Sequence, residues 1–225
     1  MKKFISLKLV GISLLVLIHV MMTAGETQAQ VYSNQYAVII GINQYQSSQW
    51  QALSYARNDA EGIAALMQQL GFKVYSLYDR QATKANILSL LEDRVARRVR
   101  KNDALFFFFA GHGATEHLGG KTWGYIVPSD ASAKPSSYIS MDELVILSEK
   151  MGNAKHQLFV MDYCFGGLLG KKRAGGISEQ HPYYLREIST RIARQILTAG
   201  GENQQVADGG PYGHSSFTGY LIKGI

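Results

Sequence analysis

One cysteine and one histidine in this chain stand where a nucleophile and its base would be needed. Cys164 is the only cysteine and follows an apolar run, His112 follows another apolar run, and glycines lie close to both residues. An imidazole beside a thiol can accept its proton, and the resulting thiolate attacks a carbonyl carbon. Glycines allow a substrate to approach closely, and the N–H groups of Gly113 and Cys164 are suited to binding one oxyanion. The alternative is an inert, buried cysteine and a hydrogen-bonded structural histidine.

The elements that must position this pair alternate between strands and helices. Apolar runs predict strands at residues 36–42, 72–78, 104–109, 157–161 and 192–198, with a short edge strand at 123–127. Helices are predicted from 63–70, 83–99, 140–151 and 216–225. This order indicates an α/β fold, a three-layer sandwich with a mostly parallel central sheet. Loops after neighbouring parallel strands leave the same edge, so we expect His112 and Cys164 to lie within reach of each other.

Local signals mark where the helices begin and end. Gly71 predicts the end of the first helix, and Thr83 is the expected N-cap of the second. Ser140 and Glu143 form a capping box at the start of the third. One face of the second helix is predicted to pack on the sheet through Leu88, Leu91, Val95 and Val99.

The composition indicates one globular domain behind an export signal. The chain has 225 residues, of which 46% are hydrophobic and 18% charged. Lys2 and Lys3 precede the apolar stretch 9–22, and small residues lead to Ala29, after which we expect cleavage. Residues 1–29 are therefore predicted to be a signal peptide and residues 30–225 the domain of an exported protein. An uncleaved N-terminal anchor is the alternative.

The charge of the chain does not favour a nucleic-acid partner. The net charge is +6, and it falls to +4 when three lysines and one glutamate leave with residues 1–29. The densest basic stretch, residues 94–101, comes at the end of a predicted helix, where cations complement the helix dipole. We expect no nucleic-acid partner and no stable membrane anchor after cleavage, and the oligomeric state is left open.

Several segments resemble the caspase and metacaspase-like cysteine peptidases of bacterial type. Their two catalytic motifs are matched by Phe-Phe-Ala-Gly-His-Gly at 108–113 and Met-Asp-Tyr-Cys-Phe-Gly-Gly at 161–167. His112 and Cys164 are 52 residues apart, compared with about 50 in caspases. Further similar segments are 37–43, 58–60, 124–128, 197–200 and 213–218. The resemblance extends over about residues 36–225 and implies the caspase-like form of the predicted fold.

The resemblance implies a role for each matching residue. His112 matches the general base and Cys164 the nucleophile, and the N–H groups of Gly113 and Cys164 match the oxyanion hole. Members that cleave after basic residues have acids in the P1 pocket, at positions that match Asp59 and Asp162. Asp59 is equally well explained by the first turn of its helix, whereas Asp162 at a buried strand end needs a partner. The implied function is that of a cysteine endopeptidase that cleaves peptides or proteins after Arg or Lys.

Some positions depart from the family pattern. Phe165 and Gly166 follow the cysteine, where the family commonly has His or Phe and then Ser. Calcium-dependent members use an aspartate cluster; Asp130 and Asp142 fall in suitable regions, but Met141 stands where a paired acid is often found. Lys171 likewise replaces an expected aspartate. We expect no cofactor, with calcium as the alternative.

A basic segment after the cysteine is the predicted site of self-processing. Lys171, Lys172 and Arg173 precede Ala-Gly-Gly, which is the composition of an exposed loop. A basic turn without a regulatory role is the alternative. Two other functions also remain open for the whole domain: a non-catalytic caspase-fold protein that binds a peptide or a partner, and an amide or ester hydrolase with a non-peptide substrate.

Overall fold

The computed structural model describes residues 31–163, 193–200 and 209–224. These residues, from Tyr32 onward, belong to one compact unit. The predicted signal peptide, Cys164 and the predicted processing residues lie outside the described ranges. No helix within those ranges is long and apolar enough to cross a lipid bilayer.

Five parallel strands form the central sheet, which confirms the predicted α/β fold. They are β1 (Gln35–Gly41), β2 (Lys73–Tyr78), β3 (Ala104–Ala110), β7 (His156–Asp162) and β8 (Ala193–Thr198), in the order β2-β1-β3-β7-β8. A second, antiparallel sheet contains β4 (Gly113–Leu118), β5 (Lys121–Ile126) and β6 (Ile139–Ser140). The three inner strands of the first sheet end in register, since Gly41 is paired with Ala110 and Ala110 with Asp162.

In the described ranges, four α-helices connect or follow the strands. They are α1 (Ala56–Gln69), α2 (Lys84–Ser89), α3 (Met141–Lys150) and α4 (Ser216–Gly224). The Thr83 hydroxyl accepts the Asn86 N–H at 3.2 Å, as the predicted cap requires. The Ser140 hydroxyl accepts the Glu143 N–H at 3.1 Å, and the Glu143 carboxylate accepts the Ser140 N–H at 2.7 Å. Both helix starts that the sequence predicts are therefore confirmed, because each satisfies backbone N–H groups that have no partner within the helix.

The sheet is buried on both faces because successive side chains of its strands point to opposite sides. On one face, Phe107 and Phe109 contact a core that includes Ile87, Leu91 and Leu144 from α2, its continuation and α3. On the other face, the core is formed by Ile39, Phe106, Phe108, Val160 and apolar residues of α1, with Phe217, Leu221 and Ile222 of α4 packed against it. Helices cover both sides of the strands, as the three-layer prediction requires.

Two local features differ from the predicted pattern. After Ser89 the second helix continues as a π-helical turn, Leu90–Val95, in which the Ala96 N–H donates to the Leu91 carbonyl. Leu91, Val95 and Val99 are nevertheless buried, with Leu88 packed against the same core, so the predicted face is confirmed. The loop predicted after β3 ends early, because Gly113 already begins strand β4, for which no strand was predicted. This strand turns into β5 through Gly119 and Gly120, which have positive φ of 61° and 72°.

We expect Gly41→Ala to destabilise the protein by about 1–3 kcal/mol, the usual cost of overpacking. A Cβ at Gly41 would lie 2.5 Å from the Ala60 Cβ and 2.7 Å from the Ala56 carbonyl oxygen, so α1 would have to move away from β1. Urea denaturation measures the change in the free energy of unfolding. Gly224→Ala is the control because a Cβ there meets no atom within 4 Å. Equal stability of the two variants would show that α1 does not depend on this close contact.

Candidate functional site

His112 lies at the point where the connections of the central sheet change direction. From β1 the chain passes to β2 on one side, and β3 is added on the other side. Crevices that bind ligands in parallel sheets open at such points, beyond the carboxyl ends of the strands. The loop after β1 and the loop after β3 both begin at this point, and His112 belongs to the second.

Contacts from the loop after β1 hold the imidazole of His112. The His112 backbone N–H donates to the Tyr45 hydroxyl oxygen at 2.7 Å, and Nε2 lies 2.8 Å from the Gln51 carbonyl oxygen. A carbonyl only accepts, so Nε2 carries the proton in this bond and Nδ1 retains a lone pair. The rings of Tyr45 and Trp50 contact the imidazole, with centroids at 5.0 and 5.4 Å. The imidazole therefore has one defined tautomer and one basic nitrogen.

The loop that makes these contacts is itself held at several points. One carboxylate oxygen of Asp79 accepts the N–H groups of Asn43 and Gln44, at 2.8 and 3.0 Å. The Gln46 N–H donates to the Ser129 carbonyl at 2.8 Å. Burial raises the pKa of Tyr45, so its hydroxyl stays protonated and neutral at physiological pH. The contacts to His112 thus come from a segment with fixed backbone partners.

The predicted oxyanion residue Gly113 begins β4 directly after His112. It is paired with Ile126 of β5, and the His112 carbonyl accepts the Val127 N–H at 3.0 Å. On the neighbouring strand the described chain ends at Tyr163, one residue before Cys164. Tyr163 is buried, donates its hydroxyl to the Met141 sulfur at 3.4 Å and contacts the Phe109 ring edge to face. Gly113, which follows His112, and Tyr163, which precedes Cys164, therefore each have defined partners.

Asp59 and Asp162 are brought to the same serine. Asp59, on α1, is 1% exposed, and Asp162, at the end of β7, is 6% exposed. The Ser215 N–H donates to Asp59 Oδ1 at 3.0 Å and lies 3.3 Å from Oδ2. The Ser215 hydroxyl donates to Asp162 Oδ2 at 2.6 Å. Two carboxylates that are 103 positions apart in the chain thus share one partner at the start of α4.

Two more residues of this segment bond to the carboxylates. His214 Nδ1 lies 2.9 Å from Asp59 Oδ1, and the Thr218 hydroxyl donates to Asp162 Oδ2 at 2.6 Å. The Asn58 side-chain amide donates to the Gly213 carbonyl. Asp59 therefore does more than interact with the dipole of its own helix, since its side chain binds the segment that precedes α4.

Burial raises the pKa of Asp59, and the nearby charge of Asp162 acts in the same direction. The hydrogen bonds from Ser215 and His214 oppose this change without cancelling it. A pair of buried carboxylates attracts a cation, because a cation lowers the cost of keeping both groups ionised.

The sequence interpretation missed the residues that surround the predicted ones. It assigned no role to Tyr45, Trp50 or Gln51, which contact His112, and no local pattern distinguishes them. Ser215 and Thr218 belong to the similar segment 213–218, and their spacing is a recognisable signal of a helix start. The Ser215 hydroxyl indeed accepts the Thr218 N–H at 3.2 Å. What no pattern indicates is that the same hydroxyl binds Asp162.

The aspartates considered for calcium do not form a cluster. One Asp130 carboxylate oxygen accepts the Lys84 backbone N–H at 2.9 Å, at the start of α2. Asp142 lies in the first turn of α3, beside the buried Met141. In residues 31–163, 193–200 and 209–224 no three His, Cys, Asp or Glu side chains are grouped as metal ligands would be. Lys171, Lys172 and Arg173 are outside these ranges.

Comparison with known proteins identifies the family. The sequence profile of the caspase domain matches residues 34–225, so the chain belongs to the caspase domain family. The structure is similar to that of protein GSU0716 from Geobacter sulfurreducens, with a TM-score of 0.62, 20% identity, and coverage of 84% of this chain and 81% of the other. It is also similar to pro-sf-caspase-1, with a TM-score of 0.52, 15% identity, and coverage of 85% and 72%. No curated protein matches the sequence.

We expect the wild type to gain stability relative to Asp59→Asn as the pH falls from 8 towards 4. The pKa of Asp59 is raised in the folded protein above its usual 3.8. At pH values between the unfolded-state pKa and the folded-state pKa, the folded protein therefore binds more protons than the unfolded chain. The free energy of unfolding then increases as the pH falls through that interval. Urea denaturation at a series of pH values measures the difference between the two proteins. Asp93→Asn, at an exposed position, is the control; a difference that does not change with pH would contradict the burial of an ionisable Asp59.

Proposed function

We propose that the protein is an exported cysteine endopeptidase that cleaves after Arg or Lys and processes itself. The observation that carries this proposal is the pair of buried carboxylates, Asp59 and Asp162, beside the sheet edge from which His112 projects. Membership of the caspase domain family supports peptidase chemistry. The carboxylate pair supports a cationic substrate side chain, because it would favour Arg or Lys and penalise an acidic residue.

The register of β3 and β7 supports a dyad of His112 and Cys164. Ala110 is paired with Asp162 across the two strands. His112 comes two positions after Ala110 in the sequence, and Cys164 comes two positions after Asp162. Adjacent strands are about 4.8 Å apart, a separation that side chains on neighbouring strand ends can bridge. The lone pair on His112 Nδ1 is the group that would accept the thiol proton.

The reaction then needs only groups of this chain and water. The Cys164 thiol transfers its proton to His112 Nδ1, and the thiolate attacks the carbonyl carbon of the scissile bond. The N–H groups of Gly113 and Cys164 stabilise the oxyanion. The imidazolium returns the proton to the leaving amine as the C–N bond breaks, which produces a thioester. Water, deprotonated by His112, hydrolyses the thioester and restores the thiol.

The surroundings of His112 support its role as base. Donation of Nε2–H to the Gln51 carbonyl would stabilise the imidazolium that forms during attack, since the carbonyl oxygen faces the cationic ring. The aromatic rings of Tyr45 and Trp50 keep the imidazole in place without competing for Nδ1.

We expect Cys164→Ala and His112→Ala to reduce peptide hydrolysis to background, because each removes one half of the dyad. The measurement is kcat/KM for a peptide amide with Arg at P1, together with labelling of Cys164 by a thiol reagent, which His112→Ala should slow. His117→Ala is the control, because His117 is an exposed histidine that bonds to Thr122 on β5. Activity in Cys164→Ala would exclude the mechanism.

Intact masses of the same preparations test self-processing. We expect fragments whose C-terminal residue is Lys171, Lys172 or Arg173 only when Cys164 is present.

We expect the preferred P1 residues to be Arg and Lys, in a panel that also contains Asp and Ala. Asp59→Asn and Asp162→Asn should each reduce kcat/KM for the basic substrates by roughly 30-fold or more, since loss of one member of a buried charge pair costs about 2–5 kcal/mol. Cleavage of the Ala substrate should change little. Asp93→Asn serves as the exposed control. A preference for Asp at P1 would refute the pocket assignment.

A further inference from the structure

Residues at the start of α4 donate hydrogen bonds to one oxygen of each buried carboxylate, Asp59 and Asp162. Asp59 Oδ1 receives two donors, His214 Nδ1 at 2.9 Å and the Ser215 N–H at 3.0 Å. Asp162 Oδ2 also receives two donors, the hydroxyls of Ser215 and Thr218, each at 2.6 Å. A carboxylate oxygen has two lone pairs, so two short bonds fill its capacity.

These hydrogen bonds affect an arginine and a lysine side chain at P1 differently. A guanidinium binds a carboxylate best through two parallel N–H···O bonds, which need both oxygens of the same carboxylate. An ammonium is a compact charge with three donors and needs only one oxygen from each partner. With Oδ1 of Asp59 occupied, that carboxylate offers Oδ2, whose described contact is the longer 3.3 Å approach of the Ser215 N–H.

Of the two groups that bind Asp59 Oδ1, only the His214 imidazole can be removed by substitution. The Ser215 N–H belongs to the backbone, whereas the imidazole is a side chain whose exposed fraction is 18%. Its space is provided by Gly62 on α1: a Cβ at Gly62 would lie 2.6 Å from His214 Cε1 and 3.2 Å from Nε2. The position of the imidazole on Asp59 therefore depends on a glycine of the neighbouring helix.

We infer that His214 is a specificity-determining residue of the proposed peptidase. Its imidazole occupies Asp59 Oδ1 and thereby removes the advantage that arginine would have over lysine at P1. The inference rests on the proposed P1 pocket. In the wild type, lysine competes with arginine because neither carboxylate is open to a bidentate guanidinium. Removal of the imidazole opens Oδ1, and arginine gains a second bond that lysine cannot form with the same geometry.

The test compares kcat/KM for two peptide amides that differ only in Arg or Lys at P1. In the wild type we expect the two values to agree within about threefold. His214→Leu removes the donor, and the Arg-to-Lys ratio should rise about tenfold, the effect of roughly one additional charge-assisted hydrogen bond. His214→Asn keeps an N–H donor near the position of Nδ1, and its ratio should stay within twofold of the wild type. An unchanged ratio in His214→Leu would overturn the inference.

A second variant keeps the histidine and moves it. Gly62→Ala introduces the Cβ that the imidazole would have to avoid, in a helix where alanine is favoured over glycine. The Arg-to-Lys ratio should rise as in His214→Leu, and a ratio equal to that of the wild type would count against the inference.

A measurement on the wild type alone covers the case in which the variants do not fold. Butylguanidine and pentylamine each present a single cation on an alkyl chain, a guanidinium and an ammonium respectively, and we expect inhibition constants within about threefold of each other. A guanidinium preference of tenfold or more would overturn the inference while leaving the proposed function intact. A wild type that cleaves only after neutral or acidic residues would instead refute the proposed function, and the inference with it.

Discussion

The lateral register of β1, β3 and β7 is the constraint on which the candidate site depends. Parallel strands are held by evenly spaced hydrogen bonds, so their carboxyl ends cannot shift independently. Gly41, Ala110 and Asp162 consequently lie side by side. The first leads into the loop that contacts His112, the second into the turn that contains His112, and the third is itself one of the two buried acids. The site is assembled from distant parts of the chain because the sheet brings three strand ends to one line.

The second requirement is compensation for buried charge. Two carboxylates at 1% and 6% exposure would be strongly destabilising without partners. His214, Ser215 and Thr218 of the segment 213–218 supply partners to both carboxylates. Ser215 contributes both its N–H and its hydroxyl to the carboxylates, and its hydroxyl oxygen also accepts the Thr218 N–H at the beginning of α4. Ser215 thus links the two buried acids, and α4 is connected to the sheet by polar bonds as well as by the apolar contacts of Phe217 and Leu221.

Much of this architecture could be predicted from the sequence because its signals are local. Apolar runs in β1, β3 and β7 indicated buried parallel strands, and the capping residues Thr83 and Ser140 indicated helix starts. The placement of His112 at the edge of the sheet followed from the order of the elements. Strand β4 was missed because its residues are mixed in polarity, Ala114 to Glu116 being half buried and His117 exposed, so no alternation of apolar and polar residues marks it. The π-helical turn was missed because it leaves the apolar face of the helix unchanged.

The surroundings of the predicted site residues could not be read from the sequence in the same way. The contact of Gln51 with His112 is made by a backbone carbonyl, which any residue type supplies. Tyr45 and Trp50 reach the imidazole from a loop whose backbone Asp79, in the turn after β2, binds at Asn43 and Gln44. The pairing of His214 with Asp59 joins positions that are 155 residues apart. These are long-range contacts without periodicity, and the sequence pattern of each partner is compatible with other arrangements.

The order of these residues along the chain has a consequence for synthesis. A ribosome releases Asp59 and Asp162 before His214, Ser215 and Thr218, so the emerging polypeptide contains both acids before the groups that bind them. Until that later segment has left the ribosomal tunnel, these binding groups are absent and α4 cannot form. The hydrogen-bonded pair of carboxylates is therefore completed only after Ser215, 53 positions beyond Asp162, has been added. A translation product interrupted between these two residues would contain both acids and lack the groups that bind them.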